Sequence, residues 1–181
     1  MTRLPDLAER YRRLHEQGPE EASRTARELG EAARREGRRV VAVSACLLGE
    51  KTRYDGGDKH VPAVTDPLLA DGEVEVLPLC PEILGGMGCP RPPVHFAADG
   101  RIVDDTGRDH GEAMRRGAAR ADELATLAGA ERAILKERSP SCGVRVVHGP
   151  DGITKGRGLF ADRLAARHLP ILSEEDVVKD E

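Results

Sequence analysis

The sequence of 181 residues has no Trp and no Asn, one Gln, only two Tyr and two Phe, and no long apolar run. So few aromatic side chains argue against a stacking platform for single-stranded nucleic acid. A net charge of −4 argues against a large cationic nucleic-acid footprint. No stretch approaches the roughly 18 apolar residues of a membrane span, and the N-terminus lacks the apolar core of a secretory signal. A cytoplasmic, reducing setting is therefore expected. There, cysteines bind metal or do chemistry more often than they pair as disulfides. Lysine is scarce too, five residues against 23 Arg. That bias, with the missing Asn, fits a GC-rich coding sequence or the avoidance of heat-labile amides. What is present suffices for one globular domain: 39% hydrophobic residues, with 33% charged against a usual ~25%. Disorder along the whole chain is excluded.

Residues 1–38 read as polar, weakly amphipathic helices. Leu7, Tyr11 and Leu14 share one face of a helix over 6–17, Gly18-Pro19 breaks it, and Ala22, Ala26, Leu29 and Ala33 align over 20–35. We take them as a helical extension packed on the domain or on a partner subunit. From Arg39 the pattern changes. Val40–Val43 is a short, wholly apolar run, as expected of a strand buried on both faces. Val74–Leu79, Ala133–Leu135 and Ile171-Leu172 are further strand candidates. Helices are expected over 109–127, with Gly129 at its C-terminal cap, and over 159–168. Val94–Asp104 reads as a hairpin turning at Asp99-Gly100. Strands alternating with helices imply an α/β fold with a mainly parallel sheet over 39–181.

Three of the four cysteines follow strand candidates. Cys46 comes after Val40–Val43, Cys80 directly after Val74–Leu79, and Cys142 beyond Ala133–Leu135. In a parallel sheet these strand ends share one edge, where ligand crevices form. Three thiols there could be small buried residues, or they could hold zinc or an iron–sulfur cluster. Paired C-x-x-C knuckles are absent, so the spacing alone does not choose. An incomplete ligand set would leave one coordination position open.

The blocks SACLLGEKTRYDGG, LCPEILGGMGCPRPP and LKERSPSCG occur in that order, and together they resemble the signature blocks of the thiouracil desulfurase family. GRDHGEAMRRGA and GRGLFADRLAARHLPILSEED are similar to its weaker stretches. The resemblance spans about residues 39–175 and leaves the N-terminal helices out. It implies a three-layer Rossmann-like domain. It also implies a 4Fe–4S cluster held by Cys46, Cys80 and Cys142, with an open fourth iron that takes sulfur from a thiolated pyrimidine. It further implies that Glu82 handles protons and that Ser139 or Ser141 binds or polarises the substrate. The expected partner is a small molecule; neither a membrane nor nucleic acid is expected, and the oligomeric state stays open.

Other residues carry two readings each. Asp55, in Tyr54-Asp55-Gly56-Gly57, could orient water or substrate, or be a turn residue. Lys59 and Lys136 could offset negative charge or be structural. Arg91, set among prolines, could pair with an acid. Cys89 could be a free thiol, or a fourth ligand that closes the site into a structural metal or cluster module acting through a partner protein. The six His show no paired ligand spacing and are read as surface or structural.

Overall fold

The computed structural model describes residues 4–179. In chain order the elements are α1 (Leu4–His15), α2 (Pro19–Arg35), β1 (Arg39–Ser44), a 3-10 turn (Ala45–Leu48), α3 (Pro62–Ala70), β2 (Val74–Leu79), α4 (Pro81–Leu84), β3 (Val94–Phe96), β4 (Ile102–Asp104), α5 (Gly111–Leu127), β5 (Ala130–Leu135), β6 (Val146–Gly149), β7 (Gly152–Lys155), α6 (Leu159–Ala166), β8 (Ile171–Ser173) and α7 (Glu174–Lys179). Four strands form one parallel sheet in the order β2-β1-β5-β8. β3–β4 and β6–β7 are separate antiparallel hairpins.

Side chains alternate across the sheet with period two. Val40 and Ala42 of β1, Leu77 and Leu79 of β2, and Ala133 and Leu135 of β5 face a layer built from α2, α5 and α6. Val41, Val43, Val74, Val76 and Ile134 face the other layer, with Leu47, Leu48 and Val64 of α3. Both faces are covered, so the central positions of the strands are apolar, and the three-layer α/β expectation holds.

The N-terminal helices enter these same cores. Leu14 and the Ala22, Ala26, Leu29 and Ala33 stripe lie in the first layer, and Leu7 lies in the second. α1 thus straddles the β2 edge. Arg10 donates to the Val76 carbonyl on that edge and bridges to Glu75 at 2.8 Å, where Arg38 also pairs. A covered, charged edge cannot recruit another strand.

Gly129, at φ +68°, follows α5 where a C-terminal cap was expected. Several elements were not anticipated. α3 carries Pro67 inside it, α4 is a single turn opened by Pro81, and the β6–β7 hairpin and α7 lay hidden in polar sequence. Among the described residues no helix is long and apolar enough to cross a membrane.

Candidate functional site

The C-terminal ends of β1, β2 and β5 open onto a cavity of about 460 Å³ lined by Cys46, Cys80 and Cys142. Each cysteine is placed by a different local device. Cys46 sits in the 3-10 turn that closes β1, and its carbonyl accepts the Lys59 N–H at 2.9 Å. Cys80 leaves β2 and opens α4. Close approach to α5 seats α4: a Cβ on Gly117 would lie 1.9 Å from the Pro81 carbonyl oxygen. Cys142 lies in the loop from β5 to β6, which packs on the start of α6. A Cβ on Gly158 would lie 2.3 Å from the Ser141 carbonyl carbon.

Glu82 stands among the thiols. Its Oε1 accepts from Ser141 Oγ at 2.6 Å and from Ser139 Oγ at 3.3 Å, and its Oε2 lies 3.4 Å from Cys80 Sγ. The two hydroxyls are 3.0 Å apart, and Ser141 Oγ is 3.5 Å from Cys142 Sγ. Ser141 is fully buried and Ser139 half-buried. The structure therefore brings Cys46, Cys80, Cys142, Glu82, Ser139 and Ser141 into one constellation.

Burial raises the pKa of all three thiols. Cys46 is pushed up to about 12, first by burial and then by the neighbouring Cys80 and Glu82, against the opposing charges of Lys136 and Arg53. Burial and then Glu82 push Cys80 and Cys142 well above the usual thiol range. Three thiols that disfavour ionisation as they stand are suited to a cationic occupant, which would stabilise the thiolates. Among the described residues no three of His, Cys, Asp or Glu are arranged to hold a single metal ion. A polynuclear iron–sulfur cluster takes one cysteine per iron, so its ligands stand farther apart than those of one ion. The donor set fits such a cluster.

Glu137 braces the Cys142 loop and was not singled out from sequence. It is 1% exposed and accepts the N–H groups of Val144, Arg145 and Val146 at 2.8, 3.0 and 3.1 Å. Burial alone would push its pKa up, but those N–H groups and the Arg145 charge hold it below the usual range. Its own N–H donates to Glu174 Oε2 at 2.7 Å, and Lys136 pairs with Glu174. Ser44 Oγ accepts the Lys136 N–H at 3.0 Å, tying the β1 and β5 ends together.

The cavity mouth is lined by Arg53, Tyr54, Lys59, Arg91, His95 and His148. Of these, Arg53, Tyr54, His95 and His148 carried no sequence signal. The Arg53 guanidinium lies 5.3 Å from the Tyr54 ring centre, and Tyr54 is 44% exposed. Arg91 donates to the Gly88 carbonyl at 2.9 Å. Burial, then the Arg138, Lys136 and His95 charges, lower the His148 pKa, favouring a neutral ring. Asp55 is exposed and does not line the cavity. It accepts from Gly57 N at 3.0 Å and pairs with Arg53 at 3.2 Å. Cys89 is exposed, its Sγ 3.1 and 3.0 Å from the Lys51 and Arg53 carbonyl oxygens, and it does not line the cavity either.

A family profile described as 2-thiouracil desulfurase matches residues 41–176. The chain is 31% identical over 150 residues to the uncharacterized protein YbbK of Bacillus subtilis (strain 168), covering 76% of this chain and 97% of that relative. Among solved structures it is similar to the 4Fe–4S-dependent thiouracil desulfidase TudS (DUF523Vcz). The TM-score is 0.70 at 34% identity, over 78% of this chain and 95% of that one.

Proposed function

The chain belongs to the 2-thiouracil desulfurase family, and from that premise we propose that it is an iron–sulfur enzyme converting the C=S of a small thiolated pyrimidine to C=O. The net reaction is hydrolytic: water supplies the new oxygen, sulfur leaves as sulfide, and no electrons are gained or lost. Cys46, Cys80 and Cys142 are the residues that would hold a 4Fe–4S cluster. When bound, the cluster would supply a thiophilic iron without a cysteine ligand to take the departing sulfur.

The chain's own groups manage protons and orientation. Glu82 is the proton-handling group, within hydrogen-bond reach of two hydroxyls and beside the thiols. As a base it would take a proton from the attacking water; as an acid it would return one to the leaving sulfur. Ser141 holds the Glu82 carboxylate at 2.6 Å. Ser139, half-buried and lining the cavity, would turn its hydroxyl proton from Glu82 to the pyrimidine. Asp55 contributes through Arg53, which it holds at the cavity mouth. With so few aromatics, the flat base is gripped by polar groups and backbone more than by stacking.

The observation that carries this reading is the convergence of three thiols, Cys80 and Cys142 buried and Cys46 half-buried, on one cavity with the Glu82–Ser141 pair beside them. Anaerobic reconstitution with iron and sulfide tests it. The expected result is about four irons per chain with a broad visible absorption, and conversion of 2-thiouracil to uracil with one sulfide released for each. Protein that takes up no cluster, or a loaded protein that leaves thiobases intact, overturns it.

A further inference from the structure

His15 lies on α1, outside the 41–176 stretch matched by the family profile, yet its ring meets the backbone of a proposed cluster ligand. The β1–β2 pairing ends at Ser44 opposite Leu79. The next residue, Cys80, is past that register and precedes the first turn of α4, so neither the sheet nor the helix supplies an acceptor for its N–H. His15 Nε2 does, at 3.0 Å and across 65 positions of sequence.

An amide nitrogen only donates, so Nε2 must be the unprotonated ring nitrogen. The ring proton is then on Nδ1, where it is donated to the Tyr11 carbonyl at 2.9 Å. The ring also stacks on the Tyr11 ring, centroids 4.2 Å apart and planes at 18°. Tyr11 in turn packs with Cys80 and with Ala45, the neighbour of Cys46. One turn of α1 therefore backs two of the three thiol-bearing segments from outside the cavity.

We propose that His15, oriented by Tyr11, is a positioning residue that fixes the Cys80 main chain so that its thiolate is presented to the cluster. The proposal rests on the cluster reading above. The physical reason is that a buried N–H without an acceptor turns its peptide plane to find one, and turning the Cys80 peptide moves the Cys80 side chain. Groups that orient metal ligands from behind typically change metal affinity about 10- to 100-fold when removed.

The test compares three variants with the full-length protein. His15→Phe keeps a flat ring against Tyr11 but removes the acceptor. His15→Gln offers a side-chain carbonyl in its place. Leu14→Ala weakens the packing of the same helix without touching Cys80. Two measurements are made on each: amide hydrogen exchange at Cys80 relative to Leu77 and Leu79 in the iron-free protein, and the rate of cluster loss to a chelator in the anaerobically loaded protein. We expect His15→Phe to speed both about 10-fold or more, His15→Gln to recover most of the loss, and Leu14→Ala to lower thermal stability without selective exchange at Cys80. Unchanged Cys80 exchange in His15→Phe, or cluster loss that merely follows thermal stability across all three variants, overturns the proposal. Wild-type protein that binds no iron overturns the cluster reading and this proposal together. A loaded wild type whose cluster lifetime is matched by His15→Phe overturns this proposal alone.

Discussion

The inner wall and the mouth of the cavity are built on different principles. The wall is made from strand ends and tight turns: Cys46, Cys80, Glu82, Glu137, Ser139 and Cys142, with Ser141 buried behind Glu82. Its groups are mostly buried and meet at short, specific distances. The mouth is made from the loops at 51–60 and 88–95 and from the β6–β7 hairpin; its Tyr54 and Lys59 are exposed, as are Asp55 and Cys89 of the same loops, which stand outside the cavity. Its side-chain ion pairs and hydrogen bonds are mainly local, such as Asp55 to Arg53 and Gly57 or Arg91 to Gly88, and the two loops meet where the Tyr54 carbonyl accepts the Arg91 N–H at 2.8 Å. A buried polar group needs every partner in place, so the wall should tolerate little change. The mouth, screened by water, should tolerate much more.

The strongest way to break this contrast is at the thiols. Cys46→Ser, Cys80→Ser and Cys142→Ser should each lose the cluster and all conversion, while Cys89→Ser keeps both; iron and sulfide analysis reads the difference. If Cys89→Ser lost iron as fully as Cys46→Ser, the centre would be a closed four-cysteine site. Next comes Glu82→Gln, which should lower turnover about 10²- to 10⁴-fold with iron content unchanged. Equal loss of iron would make Glu82 a structural brace instead.

Glu137→Gln sharpens the comparison without touching the chemistry. At neutral pH it should cost about 2 kcal/mol in denaturant unfolding, because charge-assisted bonds to three N–H groups become neutral ones. The sign with pH is fixed by its depressed folded-state pKa. The wild-type carboxylate contributes stability above its unfolded value of about 4.5 and loses it as pH falls through the lower folded value. The gap between variant and wild type should therefore narrow in acid; a gap independent of pH would refute the ionised brace.

Gly158→Ala should cost about 1–3 kcal/mol by pressing α6 against the Ser141–Cys142 backbone, seen as a lowered melting temperature. The smallest effect belongs to the mouth: Asp55→Ala should change turnover of 2-thiouracil by less than about fivefold, the range of an exposed ion pair. A loss comparable to Glu82→Gln would place Asp55 in the chemistry and dissolve the distinction.

How much was legible follows the same line. β1, β2 and β5 announced themselves through short apolar runs, as expected where a strand is covered on both faces, and Cys46 and Cys80 come within two residues of the ends of two of them. Cys142 needed the longer step from Leu135 through a loop. α3 gives no clear helical pattern in the sequence because it is short and carries Pro67 inside it, although Pro62 opens the helix. The β6–β7 hairpin was hidden because its second strand is fully exposed and carries no alternation. Glu137 looked like any charge after a strand, since its partners arrive only when residues 144–146 fold back. His15 looked like one more polar residue on a weak helix.

By itself the sequence determined the α/β class, the mainly parallel sheet and the strand ends that three cysteines follow, because hydrophobic patterning dictates which segments are buried and where strands stop. It also determined the family, through three ordered blocks. Only the tertiary structure decided which carboxylate reaches which hydroxyl, which loop is braced from below, and that α1 supplies an acceptor to Cys80. Those pairings join positions tens of residues apart. They are selected by the requirement that buried donors and acceptors find partners, and no local pattern in the chain records that requirement.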